Sequence, residues 1–371
     1  MKFLVILPDA YGSKGGIAKF NRDLLESLCS YPNCEQVVAL PRVMPEEMGN
    51  IPSKLKYITD GLNGKVSYIF CLIKTLLKNN DFDLIIYGHV NLTPLHSLIS
   101  KFIQAPSILI THGIDVWEPI SKKSVVKNLK KIDYFISVSD LTRNRFLKWA
   151  PFTKQESYIL PNSFEPGKFS TGPKNKELMS KHNLKNKKVL MTLGRLFSKE
   201  RYKGFDEVIE VLPLVTKKYP DVVYMIVGDG PDRNRLENKV KNIGVENCVI
   251  FVGEIEENVK ADYYRLADLF LMPSRGEGFG IVLLEALASG VPVVASQLDG
   301  SREALREGLL GKLVDPRDTY ELVETVLEEL EAPSKVNAAG LEFFSFSNFQ
   351  KRLHGILEDI NSATKSNISN H

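Results

Sequence analysis

The chain has 371 residues, 43% of them hydrophobic and 25% charged, proportions of an ordinary globular protein with material for about two cores. Its net charge of +3 is too small to argue for a nucleic-acid partner, and no run of 18 apolar residues offers a membrane span. Cys29, Cys34, Cys71 and Cys248 have neither metal-site spacing nor the density of a disulfide framework, which points to reduced thiols in a cytoplasmic protein.

The first apolar run, KFLVIL, reads as a buried strand; Pro8 and Asp9 follow it at once, unlike a signal peptide. Ile17, Phe20, Leu24 and Leu28 then recur at helical spacing. QVVAL, LIIYGH, SILIT, YFISVS and SYILP follow as strands separated by amphipathic stretches. Their unbroken Val/Ile/Leu character fits strands covered on both faces, as in a parallel sheet. Residues 164–187 are rich in Pro, Gly and Lys and read as a linker. A second series follows: KVLMTLG, VVYMIVGDG, CVIFVG, DLFLMPS and VPVVAS. SFSNFQKRLHGILEDI closes the pattern as an amphipathic helix, and NSATKSNISNH after it reads as a frayed tail. The expectation is an α/β protein of two doubly wound, Rossmann-like domains, 1–165 and 166–345. Charge divides between them. Residues 1–165 hold 20 Lys+Arg against 15 Asp+Glu, while the remainder holds 28 against 30. Five lysines fall in SKKSVVKNLKK (Ser121–Lys131), either a solvated helix face or a patch for anionic lipid.

In doubly wound sheets ligands bind beyond the carboxyl ends of the strands, so motifs that follow strands carry the chemistry. PDAYGSKGGIAKF joins the first strand to the first helix, with Gly15 and Gly16 just before the helix. Glycine there lets backbone N–H groups approach a phosphate or sugar, or simply makes a turn. The stretch is not the GxGxxG fingerprint of dinucleotide oxidoreductases. LGRLFSKERYKGFDEVIEVL places Arg195 after a strand and Lys203 before a helix. Arg gripping two oxygens, a Lys point charge and a helix N-terminus together suit a diphosphate. In EGFGIVLLE, Glu277 lies on the loop after DLFLMPS and Glu285 about one turn into the next helix. Such acids can accept hydrogen bonds from sugar hydroxyls. His112 follows SILIT, again at a carboxyl end. Asp81 and Asp83 form a D-x-D, but before a strand, which places a metal site there out of reach of the ligand end.

These motifs resemble the large family-4 retaining glycosyltransferases of the GT-B fold, the glycosyl transferases group 1. The resemblance rests on GRL…RYKGFD, IVGDGP, FVGEI, MPSRGEGFGIVLLEALASGVPVVAS and VDPRD, with looser matches in GGIAKFNRDLLESL, THGIDVW, SVSD and LPNSFEPGKF. Glu277 to Glu285 match the family's E-x7-E element. The resemblance implies two domains facing across a cleft, with the last helix, about 346–371, crossing back to the first. It implies that the first domain binds acceptor and the second a nucleoside diphosphate sugar. Arg195 and Lys203 would hold the diphosphate, and Glu285 the ribose. Glu277 with the backbone of Phe279, Gly280 and Ile281 would hold the donor sugar. The Gly15–Gly16 loop would close over the phosphates, His112 would line the transfer site, and the base would lie near Val252 and Glu254. No cofactor and no metal are implied. Between Arg195 and Lys203 this chain carries a longer insertion than many members.

The expected activity is transfer of a sugar, with retention, from a UDP-sugar first or GDP-mannose second to a hydroxyl of a glycan or lipid-linked acceptor, in polysaccharide biosynthesis. Two alternatives stand beside it: a glycoside hydrolase using Glu277 and Glu285 as an acid/base pair, and a non-catalytic nucleotide-sugar binding protein. The partners expected are the donor, the acceptor and the anionic inner face of a membrane, met peripherally, and not nucleic acid.

Overall fold

A computed structural model of the chain describes residues 1–165 and 167–369, with side chains as far as Thr364. Among these residues the strands form two all-parallel sheets. The first has seven strands: β1 Lys2–Leu7, β2 Gln36–Pro41, β3 Leu55–Tyr57, β4 Leu84–Tyr87, β5 Ser107–Thr111, β6 Tyr134–Ser137 and β7 Ser157–Ile159, in the order β3-β2-β1-β4-β5-β6-β7. The second has six: β8 Lys188–Leu193, β9 Val222–Val227, β10 Val249–Gly253, β11 Leu269–Met272, β12 Val293–Ser296 and β13 Lys312–Val314, in the order β10-β9-β8-β11-β12-β13. Every residue of β4, β5, β9, β11 and β12 is buried, because helices cover both faces of a parallel sheet.

In each sheet the order reverses beside the unit's first strand. β1 lies between β2 and β4, and β8 between β9 and β11. Connections from neighbouring strands diverge at such a point and open a crevice at the carboxyl ends. This is what positions the loops described below.

The chain divides into Met1–Ser163 joined by the segment from Phe346 onward, and Phe164–Ser345. Each is a Rossmann-like α/β unit. In the first, the helices Lys65–Lys78 and Lys123–Leu129 pack on the sheet face carrying Leu4, Ile6, Val38 and Leu109. The helix Gly16–Ser30 is paired with the last helix, Phe346–Ser369. Phe20 meets Phe349 with ring centroids 5.5 Å apart, Tyr31 meets His354 at 5.2 Å, and His354 Nε2 donates to the Ser27 carbonyl at 2.8 Å. In the second unit, Phe205, Val208, Ile209 and Leu212 are the buried stripe of the helix Phe205–Lys218.

Two sequence expectations are corrected, and two short strands are added. Residues 164–187 are not a linker: Phe164, Phe169 and Leu184 are buried in the second unit, and Lys176–Lys181 is a helix capped by the Asn175 side chain. Isolated apolar anchors in a polar stretch have no periodicity to reveal them. The short edge strands β3 and β13 escape notice because three residues, one a lysine, make no apolar run. The last helix continues to Ser369 through most of the expected frayed tail; Asn370 and His371 lie outside the described residues.

All four cysteines are free thiols. Asp81 is ion-paired with the Lys2 side chain, and Asp83 Oδ2 accepts from the Lys2 backbone N–H at 2.7 Å. The D-x-D thus fastens the amino ends of β1 and β4. No helix among the described residues is long and apolar enough to cross a membrane.

Phe349 is fully buried, so Phe349→Ala should lower the unfolding free energy of its unit by about 3–5 kcal/mol. Trp117 and Trp149 both lie in that unit, and urea denaturation followed by tryptophan fluorescence reads the change.

Candidate functional site

β8 delivers the chain to Arg195, and a 3-10 turn, Ser198–Lys203, delivers it to Lys203. Leu196 is buried and anchors the start of this loop. Gly204 then closes it in a left-handed conformation, φ 88°, pressed so near the end of β11 that a Cβ would lie 2.8 Å from the Pro273 carbonyl oxygen. Only glycine meets both demands. The contact sets Lys203 beside the loop after β11, which bears Glu277. Lys203 Nζ stands 3.6 Å from Glu277 Oε2 and 3.5 Å from Glu200 Oε2.

Glu200, between Arg195 and Lys203 in the sequence, was not among the expected site residues. Its Oε1 accepts from Arg195 Nη2, so one carboxylate bridges the two cations assigned to a diphosphate. Oε2 is buried and accepts no hydrogen bond. The Arg195 side chain is 78% exposed and that of Lys203 19%, so one cation is presented to solvent and the other is enclosed. Two helices start here, Phe205–Lys218 and Ile281–Ala288, neither with a side-chain cap. Their first N–H groups are therefore available to an anion. The first-turn acids of the former are occupied elsewhere, Asp206 by Arg235 and Lys239, Glu207 by Arg275.

Asp299 pins the Glu277 loop. Its Oδ2 accepts from the Glu277 N–H at 2.8 Å and from Ser274 Oγ at 2.7 Å, and its Oδ1 from the Ser301 N–H at 3.0 Å. Gly300 N–H donates back to the Glu277 carbonyl at 2.8 Å. A Cβ on Gly300 would lie 2.1 Å from the Gly278 carbonyl oxygen, so the two loops touch backbone to backbone. Burial pushes the Asp299 carboxyl up to about 6, against the pull of these donors.

Glu285 is buried, not open to solvent. Lys260 Nζ stands 2.9 Å from its Oε1 and 2.7 Å from its Oε2, and the Tyr264 hydroxyl donates to Oε2 at 2.8 Å. Lys260 and Tyr264 lie on the helix Lys260–Leu266 and carried no signal in the sequence. Its two oxygens are thus taken up by an ammonium and a phenol hydroxyl of the same unit. Glu277 and Glu285 thus answer to different lysines. Phe279 turns its ring inward against Phe344, centroids 5.4 Å apart; Gly280 caps the Ile281–Ala288 helix with φ 90°. Val252, half-buried, and Glu254, exposed, lie at the carboxyl end of the edge strand β10.

The first unit brings its own candidates to its own reversal point. Gly15, φ 100°, and Gly16 stand exposed at the start of the Gly16–Ser30 helix, which has no side-chain cap and no first-turn acid. Arg22 Nη1 donates to the carbonyls of Ala10 and Ser13 at 2.9 and 2.8 Å and so shapes the loop before it. His112 follows β5. Its Nε2 lies 2.8 Å from the Gly88 carbonyl, a group that can only accept, so Nε2 carries the proton and Nδ1 the lone pair. Burial lowers its pKa to about 4, so it is neutral at pH 7. His89 stacks on it at 6.2 Å. Asp115 accepts from the His112 N–H at 3.2 Å, and burial raises its carboxyl to about 7.

Residues 174–340 match the family described as Glycosyl transferases group 1. A GDP-mannose-dependent alpha-(1-6)-phosphatidylinositol monomannoside mannosyltransferase of Mycolicibacterium smegmatis is 30% identical over 298 residues, 76% of this chain and 77% of that protein. The structure of Anabaena HepE in complex with UDP superposes with a TM-score of 0.76 at 20% identity, over 97% of this chain and 100% of that one. Sucrose-phosphate synthase from Thermosynechococcus elongatus gives 0.77 at 19%, over 98% and 99%. At such identities the structural likeness speaks for the fold.

The raised carboxyl of Asp299 has a pH signature. A folded-state value near 6, above the usual 3.8, means that the folded chain binds the extra proton between these pH values, so this contribution to stability is full below pH ~4 and is lost as pH rises through ~6. Thermal melts from pH 4 to 7 should show the wild type declining relative to Asp299→Asn across that window; parallel curves would refute it.

Proposed function

The chain belongs to the glycosyl transferases group 1 family and is a glycosyltransferase that uses a nucleotide-sugar donor; on that premise we propose that it transfers a hexosyl group, with retention and without a metal, from a nucleoside diphosphate to a hydroxyl of a lipid-linked or glycan acceptor. The observation that carries the donor half is the crevice between β8 and β11, where Arg195, Lys203 and two uncapped helix N-termini converge. The mannosyltransferase named above supports GDP-mannose as the first donor to test and a phosphatidylinositol glycoside as an acceptor class. A UDP-hexose is the second donor. A role in polysaccharide or glycolipid assembly follows from either acceptor. We assign acceptor binding to the first unit and donor binding to the second.

In this reading the C1–O bond to the diphosphate breaks while the acceptor oxygen bonds C1 on the same face, and the acceptor's hydroxyl proton passes to the departing diphosphate oxygen. Negative charge grows on the departing diphosphate. The Lys203 ammonium, the Arg195 guanidinium and the first N–H groups of the Phe205–Lys218 helix are fixed before the reaction begins, so they stabilise that charge more in the transition state than in the ground state. These groups supply the positive charge that a divalent cation supplies in other transferases, so chelators should leave the rate unchanged. Glu277, with the backbone at Phe279, Gly280 and Ile281, takes donor-sugar hydroxyls. Glu285 keeps spare lone pairs for ribose hydroxyls while Lys260 and Tyr264 orient it. Val252 and Glu254 are assigned to the base. Gly15 and Gly16 offer N–H groups to phosphate, and His112 offers Nδ1 as an acceptor to a substrate hydroxyl.

Three measurements test this. Thermal shifts with GDP and UDP identify the base, since a ligand at about 100 times its Kd adds about 2.7 kcal/mol. Lys203→Ala should reduce nucleoside diphosphate release in the presence of acceptor by about 100-fold to 1,000-fold, or about 2.7–4 kcal/mol of barrier, with the fold intact. Turnover near the wild-type rate removes Lys203 from the mechanism. Glu200→Gln removes a carboxylate that competes with phosphate, and should tighten nucleoside diphosphate binding by roughly 1 kcal/mol, about fivefold, at low salt; titration calorimetry reads it.

A further inference from the structure

The helix Lys65–Lys78, KVSYIFCLIKTLLK, is apolar on both sides. Tyr68, Cys71, Leu72 and Leu76 enter the core. On the opposite side Val66, Phe70 and Leu77 are 71%, 69% and 71% exposed, and Ile73 is half-buried between them. At about 100° per residue these four positions fall within roughly 60° of one another, so they form one stripe along the helix. Isolated exposed apolar residues are ordinary; an aligned row of four is not. Lys65 flanks the stripe on one side, Lys74 and Lys78 on the other, and the helix contains no acid.

The same sheet face carries the helix Lys123–Leu129. There Lys122, Lys123, Lys127, Lys130 and Lys131 are all exposed. Among the described residues none of these eight lysines makes an ion pair. An apolar stripe bordered by unpaired cations on one side of a domain matches the boundary of an anionic bilayer, where acyl chains lie beneath phosphates. A second copy fits badly, because stacking this face on itself would set lysines against lysines.

We propose that the helix Lys65–Lys78 is the membrane-docking element of this chain. Phe70, Leu77 and Val66 enter the headgroup–acyl boundary, while the lysines of both helices meet anionic lipid phosphates. This assigns the contact to an apolar stripe, with the Ser121–Lys131 run as its electrostatic support. It is independent of which sugar is transferred, and it brings the enzyme to the surface where a lipid-linked acceptor resides.

The test is co-sedimentation of the full chain with vesicles of phosphatidylcholine alone and with about 30% phosphatidylglycerol. The wild type should pellet with the anionic vesicles, weakly with the neutral ones, and less at high salt. Phe70→Glu with Leu77→Glu should cut the partition coefficient at least ~10-fold, and Lys65, Lys74 and Lys78→Gln should weaken binding and flatten its salt dependence. The nucleoside diphosphate thermal shift should stay unchanged in both. If the glutamates perturb folding, Phe70→Ser and a Leu77→Cys variant carrying a polarity-sensitive dye replace them, the dye shifting to the blue only on anionic vesicles. A wild type that stays in solution overturns the proposal. So does a stripe variant that pellets like the wild type, or one whose only effect is to dissociate a dimer in sedimentation velocity.

Discussion

A single ammonium, that of Lys203, stands between two carboxylates, 3.5 Å from Glu200 and 3.6 Å from Glu277. With Arg195 also bound to Glu200, two cations and two anions neutralise one another in the crevice beside β8. If the proposed donor site is right, a diphosphate arriving there cannot merely add its charge; it must take the place of one. Glu200 is the group suited to yield. It lies on a 3-10 turn, departs from helical geometry at φ −115°, and leaves one buried oxygen without a hydrogen bond. Glu277 is held by backbone bonds on both sides of its peptide and is suited to stay. On the proposed reading, Glu200 is the acid that gives way to phosphate and Glu277 the one that remains to meet sugar.

Much of this was legible from residues alone, and for a physical reason. Parallel strands buried on both faces must be apolar throughout, so β1, β4, β8 and β11 announce themselves, and the glycine-bearing loops after them are the places where such sheets can take ligands. That logic singled out Arg195, Lys203 and Glu277, which the structure brings together around Glu200. Asp299, Lys260 and Tyr264 were not, because what makes them matter is an approach between segments remote in sequence. The Asp299 carboxylate reads as a turn residue until the Glu277 N–H is seen against it. Glu285 looked like an open acceptor until burial against Lys260 showed an ion pair. Glu200 was visible as a charge but not as a bridge, since the path of the insertion between Arg195 and Lys203 is set by Gly204 against Pro273.

The two units repeat one plan with different electrostatics. Each presents an uncapped helix N-terminus after its first strand or turn, at the point where strand order reverses. The second unit gathers charge there. The first removes it: burial keeps His112 neutral and drives Asp115 toward its protonated form. Such a division agrees with the proposed reading, in which the second unit takes the diphosphate and the surroundings of His112 take substrate hydroxyls.

The last helix belongs to the unit that begins the chain, and this orders events on the ribosome. Leu24, Leu28 and Phe20 are translated early, but Phe349, which seals Phe20, emerges only after all of Phe164–Ser345 has been made. At about 5–20 residues per second, roughly 180 intervening residues take on the order of 10–40 s. Throughout that interval the nascent amino-terminal sheet carries an uncovered greasy flank, while the later half can already collapse on its own. Chaperone demand during synthesis should therefore concentrate on the half translated first.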